Sequence, residues 1–167
     1  MTSVESPFAS ARQKMVAARI EFMAQLAKFS AEEQTYRPAE GEWSPLEIAY
    51  HLYITDGLML EQMQQIQREE NPLVIAISEE APRLTRESQP PSSLDAVLAG
   101  MAARREELFE YLASLPIAAW ERPFRHPHRG DLKFYQLVNI LPQHDQLHAA
   151  QLAAIREHLN QRPPALF

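Results

Sequence analysis

WSPLEIAYHLYITDGLMLEQMQQIQRE, residues 43–69, is the stretch that decides the fold. Ser44 can cap a helix, Pro45 suits its first position, and Glu47 sits where a capping box needs an acid. Ile48, Leu52 and Thr55 share one face, and one long helix is expected to about residue 69. Gly57 interrupts good helix formers at a cost of about 1 kcal/mol relative to Ala, which suggests close helix packing or a slight bend. His51 falls beside Ile48, Leu52 and Thr55 and therefore points inward.

The same period appears three more times. Phe8, Met15, Phe22 and Phe29 repeat every seven residues, predicting a first helix over about 7–29. SSLDAV, capped by Ser92 or Ser93, opens a third helix that ends near Leu115–Pro116, with Leu94, Val97, Met101, Leu108 and Leu112 on one stripe. A fourth is expected from about Asp131 to Asn160, its apolar face beginning with Phe134, Leu137, Val138 and Leu141 and extended by Leu147, Leu152 and Ile155. Pro142 lies inside it, either as a tolerated kink or as a device that opens the helix. Two longer links remain. PLVIAI in 70–91 leans towards β structure but has no evident strand partner, so an extended segment lying on the bundle or at a subunit contact is expected. AAWERPFRHPHRG reads as irregular. The sum is an all-α chain, a four-helix bundle with two longer connecting loops, forming one domain over 1–167.

Composition narrows the function. The net charge of −6 counts against nucleic acid, which needs clustered Lys and Arg. The chain has no Cys, which excludes disulfides, thiolate metal ligands and a protein thiol nucleophile. MTSVESPFAS has neither a basic start nor an apolar core, so no signal peptide is expected. No apolar run approaches the roughly 18 residues of a membrane span, and a cytoplasmic protein without membrane contact is the expectation.

Six histidines carry what chemistry is visible. His158 sits in the last turn of helix four, where a cation suits the helix dipole. His126 and His128 alternate in a Pro-containing loop and suit a pocket rim. His144 and His148 stand four residues apart in HDQLH and so share one helix face. Alone, that spacing fits two hydrogen-bonded helix residues as well as half a metal site, and the Glu of an H-E-x-x-H protease motif is missing. An inward His51 on a neighbouring helix would complete a three-nitrogen set, the form of catalytic zinc sites that keep one position open. Hydrogen bonding among the three histidines is the competing outcome. Neutral imidazoles suit nickel, copper, iron or zinc.

Three segments in order resemble the DinB-like superfamily, which includes the bacillithiol and mycothiol transferase-like proteins. GEWSPLEIAYHL (41–52) looks like its W-S-x-x-E-x-x-x-H-L segment, with Trp43, Ser44, Glu47, His51 and Leu52 in place. HDQLHAAQL (144–152) looks like its H-x-x-x-H-x-x-Q-[LI] segment, through His144, His148 and Gln151. HPHRGDLKFYQL (126–137) is similar to its approach to helix four, with His126, Pro127, Gly130 and Leu137 matching; His128 and Arg129 depart from it, Arg129 standing where an aromatic residue is frequent. The resemblance implies a four-helix bundle with a divalent metal, nickel or zinc, on His51, His144 and His148, and a homodimer.

It also implies a metal-dependent enzyme with a small-molecule substrate. Two reactions are expected candidates: transfer of a low-molecular-weight thiol to an electrophile, which needs no protein Cys, and hydrolysis by a metal-activated water. Gln151, one turn past His148, could orient a ligand or support the metal site. Asp145 lies off the metal face and no catalytic acid or base is named. The alternative is a non-catalytic metal-binding or stress-related interaction protein; a fourth ligand from His126 or His128 would favour it, since closed sites are structural.

Overall fold

The structure is a computed structural model that describes residues 6–77 and 93–161. Four α-helices organise it: α1 Pro7–Leu26, α2 Pro45–Arg68, α3 Leu94–Ala113 and α4 Phe134–Asn160. α1 packs chiefly on α4 and α2 on α3, while α2 also touches α4. This is the expected four-helix bundle. No helix among the described residues is long and apolar enough to cross a membrane.

The caps follow from the sequence. Ser44 accepts from the Glu47 N–H at 3.2 Å, and Glu47 Oε1 accepts from the Ser44 N–H at 3.0 Å, completing the capping box of α2. Ser6 and Ser93 cap α1 and α3; Ser92, the other cap considered, lies outside the described residues. Gly57 marks close packing: a Cβ there would run into the Arg104 side chain. Gly100 faces the Tyr53 ring in the same way, and the Arg104 guanidinium lies 4.0 Å from that ring's centroid while donating to the Tyr53 carbonyl. The two glycines thus let α2 and α3 close on one cation–π contact.

Four expectations differ from the structure. α1 ends at Leu26 rather than 29, although Phe29 is still buried in the turn that follows. AAWERPFRHPHRG is ordered: a short 3-10 turn, Ile117–Glu121, leads into an antiparallel hairpin of β1 Pro123–His126 and β2 Gly130–Lys133. α4 therefore starts at Phe134, not near Asp131, and Gln136 Oε1 accepts from the Lys133 N–H at its mouth. Residues 131–133 have their backbone committed to the hairpin, so the helix begins only at Phe134. Gly130 takes φ +77° at the turn, a region costly for other residues. Finally, PLVIAI does have a strand partner. Val74 N–H donates to the Arg125 carbonyl at 3.0 Å and Arg125 N–H to the Pro72 carbonyl at 2.8 Å, so Leu73 bridges β1 in parallel. Asn71, at φ 45°, turns the chain from α2 into that path. The rest of the 70–91 link from 78 onward lies outside the described residues.

The buried side chains form two apolar clusters. One gathers Met15, Met63, Leu108, Leu112, Phe124 and Phe134; the other gathers Phe22, Leu26, Leu52, Met101 and Leu152. On each helix one charged residue at a core position falls between members of the two: Arg19, Asp56, Arg105 and Asp145. α4 runs unbroken through the buried Pro142.

Candidate metal centre

α2 and α4 deliver the three predicted histidines to one point. His51 and His148 are buried and His144 is partly so. The Nε2 atoms of His51 and His144 are 3.2 Å apart, and those of His148 and His144 are 3.0 Å apart. One ring nitrogen from each of the three lies within 4.8 Å of the others. His126 and His128 do not join this set.

The donor chemistry fits a cation. His148 Nδ1 is 2.7 Å from Gln151 Oε1. A carbonyl oxygen only accepts, so Nδ1 carries the proton and the His148 Nε2 facing the cluster is a lone pair. Burial, together with the neighbouring His148 and His144, pushes His51 down to about 3, so its ring is neutral at pH 7. The single proton that His144 Nε2 can carry would serve one neighbour well; a divalent cation satisfies all three nitrogens together. The Trp43 ring packs against His51 at 4.5 Å between centroids and fixes its orientation.

Glu47 is accounted for as a cap. Burial pushes its carboxyl up, but the forked bonds from Arg37 at 2.7 and 2.6 Å and those at Ser44 outweigh it and hold the group below the usual carboxylate range. His158 is 3.2 Å from the Tyr36 hydroxyl, at the C-terminal end of α4 as expected.

A cavity of about 270 Å³ opens from His51 and His144. Met59, Leu137, Ile140, Leu141 and Ile77 give it apolar walls, and Thr55, Gln62, His126, His128 and Arg129 add polar groups. His126 and His128 are therefore rim residues. The histidine set, three side chains with a cavity on one side, has the form that an open metal site would take.

Beside this centre lies a cluster that sequence reasoning missed. Arg19 donates to Asp56 at 3.1 Å and to Asp145 at 3.1 and 3.2 Å; Arg105 donates to Asp56 twice at 3.2 Å and to Asp145 at 3.3 Å. Asp56, Asp145 and Arg105 are buried and the Arg19 side chain is 14% exposed. Each helix supplies one member. Asp145 does lie off the histidine face, as expected, but it ties α4 to α1 and α3. A signal was available: each of the four stands four residues after a buried apolar side chain and seven before another, as in Met15–Arg19–Leu26 and Met101–Arg105–Leu112. A charge at a core position on every helix, two of each sign, is a network.

Fold and site together define a class: a four-helix bundle with a three-histidine cluster at the floor of a small cavity. The chain belongs to the DinB superfamily, whose family model matches residues 14–152. Among its relatives is YuaE of Bacillus subtilis, 26% identical over 154 residues, which span 85% of this chain and 94% of that protein. Another, from Bacillus mycoides, carries the name "Putative metal-dependent hydrolase BcerKBAB4_2443"; it is 24% identical over 120 residues, 72% of this chain and 68% of its own length. Of solved structures, YfiT from Bacillus subtilis superposes with a TM-score of 0.77 at 14% identity, covering 97% of this chain and 93% of YfiT, and is described as "a probable metal-dependent hydrolase with an unusual four-helix bundle topology". TT2238, described as a four-helix bundle protein, gives a TM-score of 0.64 at 21% identity over 88% of this chain and 98% of its own. At these identities the two structures speak for the fold.

Proposed function

We propose that the protein holds one divalent cation, nickel or zinc, on His51, His144 and His148 and is a metal-dependent enzyme acting on a small molecule. The observation that carries this reading is the convergence of three Nε2 atoms, one of them a lone pair by virtue of Gln151, on the floor of a cavity. The cation supplies Lewis acidity there, making a water or a small-molecule thiol nucleophilic near neutral pH. Gln151 holds the His148 ring in the tautomer that ligation needs. Trp43 restrains His51, and the apolar walls exclude bulk water from the reacting end.

Thiol transfer is the reaction we favour. The chain has no Cys, so the sulfur must arrive with a cofactor, and a lining whose formal charge comes from Arg129 suits a thiolate. A carbon–sulfur bond forms, the electrophile's leaving group departs and the thiol proton passes to solvent. Hydrolysis is the second reading, favoured by how the Bacillus mycoides relative and YfiT are described. Metal-loaded protein would be assayed with cysteine or 2-mercaptoethanol and a chlorodinitrobenzene, and separately for thiol-free release from nitrophenyl esters. Thiol-dependent turnover lost in His51→Ala supports transfer. Thiol-independent ester cleavage lost in the same variant supports hydrolysis. Neither activity, with metal bound, would leave a non-catalytic metal protein. The homodimer belongs to this proposal too, and light scattering on eluted peaks tests it.

A further inference from the structure

The end of the cavity at the hairpin carries groups that the metal does not use. His126 lies at the end of β1, and His128 and Arg129 lie in the turn that follows. The hairpin's other arginines are committed: Arg122 donates to the Ile66 and Glu69 carbonyls, and Arg125 Nε to the Asn71 carbonyl. The Arg129 guanidinium makes no hydrogen bond or ion pair among the described residues, and it faces a cavity in a chain of net charge −6.

The turn is built to keep it there. His126 Nδ1 accepts from the backbone N–H of His128 at 3.1 Å and of Arg129 at 3.2 Å. An Nδ1 that accepts leaves the proton of the neutral ring on Nε2, so His126 is fixed as a donor through its other nitrogen. Gly130 closes the turn at φ +77°. Nearer the histidines, Thr55 Oγ1 is buried with no partner among the described residues, although the residue lines the cavity one turn from His51. A buried hydroxyl normally finds a partner, and here a ligand can supply it.

We propose that the cavity binds a small ligand with an apolar body and a terminal oxyanion, carboxylate or phosphate, held by Arg129 with His126, while its other end reaches the three histidines past Thr55. This names the substrate class of the centre described above and rests on that reading for the reacting end only. The volume of about 270 Å³ lies just below the range of about 300–1,000 Å³ usual for drug-sized ligands, which keeps the ligand small. An arginine fork suits either oxyanion, through two parallel charge-assisted bonds.

The test is calorimetric titration of the metal-free protein with pentanoate, butylphosphonate and pentanol, repeated on Arg129→Gln and on protein loaded with zinc. Metal content is measured separately on every sample. At least one anion is expected to bind about 10-fold tighter than pentanol, the worth of one charge-assisted pair, and the tighter of the two assigns the oxyanion. Arg129→Gln is expected to remove that preference while pentanol affinity and zinc uptake stay as in the wild type. Equal affinity for anions and alcohol, or a preference that survives in Arg129→Gln, overturns the oxyanion site. A protein that takes up no zinc yet keeps the Arg129-dependent preference overturns the metal reading and leaves this one standing.

Discussion

Two polar clusters sit side by side across α2 and α4, and they are opposite in kind. Arg19, Asp56, Arg105 and Asp145 bring two positive and two negative charges, one from each helix, whose ion pairs balance within the set, although Arg105 Nη1 has no partner among the described residues. His51, His144 and His148 bring three bases of the same kind into contact, with His51 held neutral. Asp145 and His144 are neighbours in sequence yet belong to different clusters, because successive helix residues are turned by about 100°. A charge-balanced set needs no counter-ion, whereas a set of like bases suits a cation. Polarity in a core therefore marks a site by its composition more than by its burial.

Removing one member should separate the two. Asp145→Ala leaves two guanidinium groups sharing the single carboxylate of Asp56 in a buried layer and should lower stability by about 3–5 kcal/mol, read from the urea midpoint, while folded protein still takes up metal. A loss under about 1 kcal/mol would mean that the quartet is not the clasp described here. His144→Ala should do the reverse, abolishing metal uptake with little effect on the metal-free midpoint. Free metal at a hundred times its Kd should then stabilise the wild type by about 2.7 kcal/mol and His144→Ala not at all.

Gln151→Ala sharpens the contrast further, since it touches only the histidine side. Freed of its Nδ1 partner, the His148 ring should lose orientation, and metal affinity should fall about 10- to 100-fold in competition with a chromophoric chelator. The smallest effect is expected outside both clusters. Bonds from Arg156 and from the Ser30 backbone hold the Glu33 carboxyl at about 2, below its ordinary 4.5. Because the folded value is the lower, this contribution is complete above pH 4.5 and is lost as pH falls towards 2. The thermal midpoints of wild type and Glu33→Gln should therefore converge over that range.

Much of the fold was legible because its signals are local. The Ser44–Pro45–Glu47 start of α2 and the seven-residue repeat of α1 need no tertiary information. What escaped is strand pairing, part of it with partners distant in sequence. β1 pairs with β2 across a turn set by Gly130, and residues 72–74 pair with Arg125 more than fifty residues away, which helical periodicity cannot register. His51 was found because its neighbours on the helix are apolar. Arg19 and Arg105 were not singled out, although their spacing from Met15 and Met101 puts them on the core stripe.

The central claim is that the three histidines hold a metal. The most direct test is elemental analysis of untagged protein purified without chelator, alongside His51→Ala, His144→Ala and His148→Ala. About one equivalent of nickel or zinc is expected per wild-type chain and close to none in each variant, with helical content unchanged in all four. Wild-type protein that carries no metal and takes up none from an excess would contradict it.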